Sequence, residues 1–229
     1  MLPICLYEDQ DFLAVYKPVG IQMHDPVDGI IPSVVRALEL TTAPLLIHRL
    51  DQATSGVLLL GKNPTSTAEI AALFAQKAIH KHYIALSDKK PKKKQGQIIG
   101  DMQKARNGSY KLQRSKDNPA VTEFTSSSVA PGVRIYHLHP KTGKTHQLRV
   151  ALKSLGSPIL GDKRYSGTLS DRMYLHALSI NFVYKNKSHN ILAPLCEGEH
   201  WENSTIQTEL MPFFEKASNS DVIKVFCHD

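Results

Sequence analysis

His48-Arg49-Leu50-Asp51-Gln52-Ala53-Thr54-Ser55-Gly56-Val57-Leu58-Leu59-Leu60 sets charge and hydroxyls directly before an apolar run. Residues 57–60 ask for burial and read as a strand, so the polar turn before them belongs at the rim of a core. Asp51 is then held on a rigid element with Arg49 two residues away. Asp, Thr, Ser and Gly are also ordinary turn formers, and most turns of that composition do no chemistry.

Upstream, residues 4–7 and 12–16 read as two strands about the acidic turn 8–11, and Lys17-Pro18-Val19-Gly20 ends the second. Residues 32–40 read as a short helix. After the central strand, Asn63-Pro64 and Ser66 with Glu69 are helix-start signals, and Ile70, Leu73 and Phe74 share one face to about Gln76. Residues 80–86 alternate as a strand, with Lys81 and Tyr83 on one face and His82 and Ile84 on the other. Residues 88–119 read as a long hairpin or insertion. Residues 121–126 and 133–139 form an antiparallel pair around Ala130-Pro131-Gly132. Leu148, Ala151, Leu152 and Leu155 fall at helical spacing before Gly156. Residues 174–184 alternate as a long strand in which His176 reads as a packed core histidine. The last stretch, about 205–229, reads as a short helix and tail.

The chain has 229 residues, 41% hydrophobic and 21% charged, an ordinary globular balance with ample material for a core. No run is long and apolar enough for a membrane helix, and no targeting segment is apparent, so a cytoplasmic protein without membrane contact is expected. Cys5, Cys196 and Cys227 lack metal spacing and read as reduced thiols. Residues 81–116 hold eleven Lys or Arg and two acids, a balance of +9, so with a total of +7 the rest sums to −2. Such segregation suits a polyanion-binding patch, although a solvated Lys-rich loop has the same composition.

Lys141-Thr142-Gly143-Lys144-Thr145 before a helix invites a phosphate-loop reading. That motif needs a glycine five residues before its Gly-Lys, and the position is Leu138. His80/His82 and His137/His139 have strand spacing that suits a metal, but no carboxylate or cysteine cluster accompanies them, and no metal is expected.

His48-Arg49-Leu50-Asp51-x-x-Thr54-Ser55-Gly56 resembles the signature of the RluA-type pseudouridine synthases, matching at every specified position. The Lys-Pro-x-Gly loop, Lys81-x-Tyr83, Thr142-Gly143-Lys144-Thr145-His146-Gln147-Leu148-Arg149-Val150, the stretch 157–165 and Leu175-His176-Ala177 extend the resemblance, in the family's order, over roughly residues 4–195. Where the family often continues with His after that Val, this chain has Ala151. The resemblance implies a single α+β catalytic domain over 1–229: a mixed, largely antiparallel central sheet flanked by helices, with an active-site cleft. The family's additional N-terminal RNA-binding domain is not expected, because the catalytic pattern begins within the first ten residues.

The implied activity is isomerisation of specific uridines in structured ribosomal or transfer RNA to pseudouridine. N1–C1′ breaks, the base turns, C5 joins C1′ and the C5 proton leaves. No redox step or energy carrier enters, so no cofactor is expected, and a monomer is. By resemblance Asp51 is the catalytic carboxylate, acting on sugar or base as nucleophile or by removing a proton. Arg149 pairs with it and favours its charged form. Tyr83 lies against the target base. A uridine in structured RNA must leave its stack; Arg49 would fill the vacated space, His48 would shape the turn beside it, and Lys81, Lys144 and His146 complete the RNA-contacting set. A non-catalytic RNA-binding protein on the same fold is the competing reading, and Asp51, Tyr83 and Arg149 together argue against it.

Overall fold

The computed structural model describes residues 1–23 and 44–215. The helix expected at 32–40 lies outside the described residues. In chain order the elements are β1 (Ile4–Glu8), β2 (Phe12–Lys17), β3 (Leu45–Leu46), β4 (Ser55–Gly61), α1 (Pro64–Ala75), β5 (His80–Ser87), β6 (Gln95–Gly100), β7 (Met102–Lys104), β8 (Tyr110–Leu112), β9 (Ala120–Ala130), β10 (Val133–Pro140), α2 (Gln147–Ser154), β11 (Leu175–Tyr184), β12 (Lys187–Leu192) and α3 (Ser204–Phe214). The architecture is the expected α+β one, a mixed, mostly antiparallel sheet with few helices. The chain divides into two compact units, the first drawn from Met1–His80, Ala177–Glu197 and Thr208–Asp229, the second from Lys81–His176 and Gly198–Gln207.

In the first unit the strand order is β1-β2-β4-β11, with β3 on β4 and β12 on β11. All seven residues of β4 are buried, so both its faces are covered. Val57 and Leu59 join a cluster with Phe12, Ala14, Tyr16, Ile70, Ile180 and Phe182. Ile70 is buried, and Leu73 and Phe74 pack on the same cluster, as the helical face predicts. The N-terminus of α1 is capped by Asn63, whose side chain accepts from Ser66 N, with Pro64 in the first turn. The pair Ser66/Glu69 is therefore not the cap. Cys5 is a free thiol, as expected, and Cys227 lies outside the described residues.

The second unit carries the antiparallel order β5-β10-β9-β6. The 88–119 segment is therefore not all insertion: β6 registers against β9, from Gln95↔Thr125 to Gly100↔Ala120. Only its second half stands off, as the separate hairpin β7–β8. β9 and β10 meet across Pro131-Gly132, where Gly132 takes φ +75°, conformationally cheap only for glycine. Helix α2 ends at Gly156, φ +78°, as its sequence predicts.

Candidate active site

In the first unit the turn carrying Asp51 is closed by Thr54 N donating to Asp51 O at 2.9 Å. Asp51 is half-buried and Arg49 exposed, whereas Leu50, Thr54 and Ser55 are buried. Leu59 N donates to His48 Nε2 at 2.9 Å, and the His48 ring lies on Phe74 with centroids 4.7 Å apart. His48 thus ties the segment after β3 to β4 just before the turn. Gly56 has φ +118°, and a Cβ there would stand 2.2 Å from Ala177 O. The motif needs glycine because the β11 backbone passes directly against it.

The Lys-Pro-x-Gly loop holds the other side of the turn. Lys17 is fully buried, and its ammonium donates to Pro18 O at 2.8 Å, Ile21 O at 3.0 Å and Gln52 O at 3.3 Å. Gly20 N donates to Gln52 O at 2.9 Å, and Gln52 Nε2 donates back to Gly20 O at 3.0 Å. A buried cation satisfied by carbonyls therefore locks two loops together one residue after Asp51. Its sequence signal was the loop motif itself, which carries no hint that the lysine points inward.

In the second unit Tyr83 sits on β5 opposite Leu138 of β10, half-buried, on the face expected with Lys81. Lys81 Nζ donates to Thr142 O at 3.0 Å, and burial lowers its pKa to about 8. On the opposite face His82 stacks on His137 and His139, centroids 5.1 and 4.6 Å away. Burial first, then the neighbouring histidines, push its pKa down to about 3, so its ring is neutral. His82 Nε2 and His137 Nδ1 face each other at 2.9 Å as a hydrogen bond. Among the described residues no group of three or more His, Cys, Asp or Glu is placed to hold a metal ion.

The loop before α2 is bonded to itself. Gln147 Oε1 accepts from Thr142 Oγ1 at 2.8 Å and Lys144 N at 3.0 Å, while its amide donates to Val121 O and Thr122 Oγ1. The Lys144 N–H that a phosphate loop would offer to its ligand is already used, which removes that reading on structural grounds. Lys144 Nζ reaches Asn118 Oδ1 at 2.8 Å. His146 occupies the left-handed region, φ 57°, at the start of α2.

Arg149 forms a buried fork with Asp162: Nε to Oδ2 and Nη2 to Oδ1, both 2.8 Å. The two residues are 8% and 1% exposed, so the pair is desolvated and bidentate, the arrangement in which arginine–carboxylate geometry matters most. Asp162 Oδ1 also accepts from Arg164 N and Tyr165 N, capping the turn 163–165. The Arg149 guanidinium lies 5.0 Å from the Tyr165 ring centroid. Tyr165 Oη accepts from Tyr110 N at 3.0 Å and lies 2.8 Å from His146 Nδ1. Burial raises the pKa of that hydroxyl, so it keeps its proton, and which of the two groups donates follows from the His146 tautomer. Asp162 and Tyr165 carried no role in the sequence reading, although both stand in the stretch 157–165 that extended the resemblance.

Of the expected residues, Asp51, Arg49 and His48 lie in the first unit and Tyr83, Lys81, Lys144, His146 and Arg149 in the second. Residues 11–154 match the model of the family described as RNA pseudouridylate synthase. An uncharacterized RNA pseudouridine synthase of Haemophilus influenzae is 46% identical over 215 residues, covering 92% of this chain and 96% of that protein. The ribosomal large subunit pseudouridine synthase C of Rickettsia bellii is 33% identical over 186 residues. That match covers 76% of this chain and 62% of the relative, so the chain spans about three-fifths of that protein's length. The solved human RNA pseudouridylate synthase domain containing 1 has a TM-score of 0.70 at 23% identity, covering 84% of this chain and 83% of its own. At that identity the likeness is one of fold. No helix among the described residues is long and apolar enough to cross a membrane.

Proposed function

The chain belongs to the RNA pseudouridylate synthase family, an isomerase family acting on RNA, and we propose that it converts specific uridines in structured ribosomal or transfer RNA to pseudouridine. Ribosomal RNA is the first substrate to try, because relatives at about one-third identity bear the name ribosomal large subunit pseudouridine synthase C. Asp51 is the catalytic carboxylate in this proposal, Arg149 its cationic partner and Tyr83 the ring against the flipped base. Arg49, Lys81, Lys144 and His146 contact RNA, and His48 supports the turn. The reaction leaves no net oxidation and needs no cofactor; a monomer working in the cytoplasm completes the proposal.

The single observation that carries it is the construction of the Asp51 turn. The buried Lys17, the Gln52–Gly20 exchange and the Gly56 close approach hold this one carboxylate on rigid backbone, and an RNA-binding surface alone would not need that. The Arg149–Asp162 fork supports the role given to Arg149. It uses two of the five N–H donors of a guanidinium and fixes the plane of the group. The test is Asp51→Asn, with pseudouridine measured in ribosomal and transfer RNA from cells lacking the gene after incubation with purified protein. Pseudouridine formation falls by at least about 10³-fold, while RNA affinity stays within about a factor of two. Wild-type activity in Asp51→Asn would end the assignment, and site maps from cells with and without the gene identify the substrate.

A further inference from the structure

Glu197 lies well beyond Leu175-His176-Ala177, the last of the motifs that carry the resemblance. Its carboxylate nevertheless reaches the Lys-Pro-x-Gly loop. One oxygen, Oε2, accepts from Tyr16 Oη at 2.8 Å and from Val19 N at 3.1 Å. Tyr16 is the penultimate residue of β2 and is fully buried in the core, where a phenol hydroxyl needs an acceptor. Val19 supplies the first backbone N–H after β2, because Pro18 has none. Glu197 therefore holds the chain on both sides of Lys17-Pro18, at the point where it leaves the sheet.

The carboxylate is delivered by a well-anchored run. Ile191, Leu192, Ala193 and Leu195 are buried, and Ala193 N donates to Leu178 O at 2.9 Å, which fixes the chain after β12 against β11. From Val19 to Asp51 the path is one of direct contacts. The next residue, Gly20, donates from N to Gln52 O at 2.9 Å and accepts from Gln52 Nε2 at 3.0 Å, and Lys17 Nζ reaches Gln52 O at 3.3 Å. Lys17 also stands opposite Gly56 in the register of β2 on β4, so one short segment holds the turn from Gln52 on one side and Gly56 on the other. All of these residues belong to the first compact unit.

We propose that Glu197 is a positioning residue for the Asp51 turn, acting through Val19, Gly20 and Gln52 and not on the substrate. The inference rests on the proposed catalytic role of Asp51 and adds what holds that carboxylate in place. What it requires of residue 197 is reach and an acceptor oxygen. The amide oxygen of a glutamine can take both hydrogen bonds, whereas an aspartate, one methylene shorter, cannot span from the same backbone to both Tyr16 and Val19.

The experiment compares Glu197→Ala, Glu197→Asp and Glu197→Gln with the wild type in two measurements. The first is steady-state pseudouridine formation on ribosomal RNA, well below the melting temperature of each variant. The alanine and aspartate variants are expected to lose about ten- to a hundredfold in kcat with KM within about twofold, because a displaced reacting group lowers rate and not binding. The glutamine variant recovers most of that loss. The second is amide hydrogen exchange, expected to be at least about tenfold faster at Gly20 and Thr54 in the alanine and aspartate variants and unchanged in the middle of β4. Should Glu197→Ala not fold, aspartate against glutamine decides. Wild-type kcat in the alanine and aspartate variants would overturn the proposal, as would a change in KM alone, a glutamine variant as impaired as the aspartate one, or unchanged exchange at Gly20 and Thr54. Failure of the pseudouridine reading has a different signature: wild-type protein that forms no pseudouridine in any RNA, with the exchange comparison still deciding whether Glu197 holds the turn.

Discussion

Lys81 shows what a single side chain contributes beyond its motif. As a surface lysine it would carry its charge to about pH 10.5; half-buried on β5, with Thr142 O as its acceptor, it titrates near 8. The unfolded chain keeps that proton to higher pH, so between about 8 and 10.5 the unfolded state binds more protons and this group's contribution makes folding more favourable as pH rises. The phosphate contact proposed for it has the opposite dependence, because the charge is lost above 8. RNA affinity is therefore expected to fall by about tenfold between pH 7 and 9 through this group. In Lys81→Arg, which stays charged, the profile should be flat. Parallel profiles for the two proteins would show that Lys81 does not touch RNA. At the same scale, the resemblance is what singles out Asp51, Tyr83 and Arg149 for the proposed chemistry, whereas nothing in the sequence showed the inward course of Lys17. A lysine after an apolar strand looks solvated until three carbonyls are seen around it.

At the scale of elements, β4, α1, β9, β10 and α2 were readable because each carries its own apolar pattern and a start or stop signal, such as Asn63-Pro64 before α1 and Gly156 after α2. The hairpin β7–β8 was only half-read. Asn107-Gly108 is a strong short-range turn signal, but its strands have three residues each and no apolar alternation long enough to declare them. The turn at 162–165 has no periodic signal at all; its order comes from Asp162, which caps two N–H groups and forks Arg149. Asp162→Ala would remove the carboxylate that forks a buried guanidinium, at a cost of about 3–5 kcal/mol, or a fall of roughly 10 °C in melting temperature for a chain of this size. Asp162→Asn keeps the capping oxygen and should lose less. Differential scanning calorimetry decides it, and an alanine variant that melts with the wild type would rule out a supporting role for the fork.

At the scale of the whole molecule, Asp51 belongs to the first compact unit and Tyr83 and Arg149 to the second, and the proposed reaction assigns all three to one step. Groups that act together on one transition state are not additive when removed. Arg149→Gln added to Asp51→Asn should therefore lower pseudouridine formation no further than Asp51→Asn alone, although Arg149→Gln by itself costs at least about 10²-fold. Multiplied losses in the double variant would mean that the two residues do not share a step.

By itself the sequence determined the family, the α+β class and the identity of the residues proposed for chemistry. Apolar periodicity and turn residues act over a few neighbours, and a motif is a local record of them. Only the tertiary structure decided that Lys17 is buried behind the Asp51 turn, that Arg149 is forked by Asp162, that the loop at 142–147 spends its donors on Gln147, and that a cationic hairpin is fastened to Tyr165. Each of these joins residues through space across a gap that no local pattern encodes, and each exists because a buried polar group must find a partner.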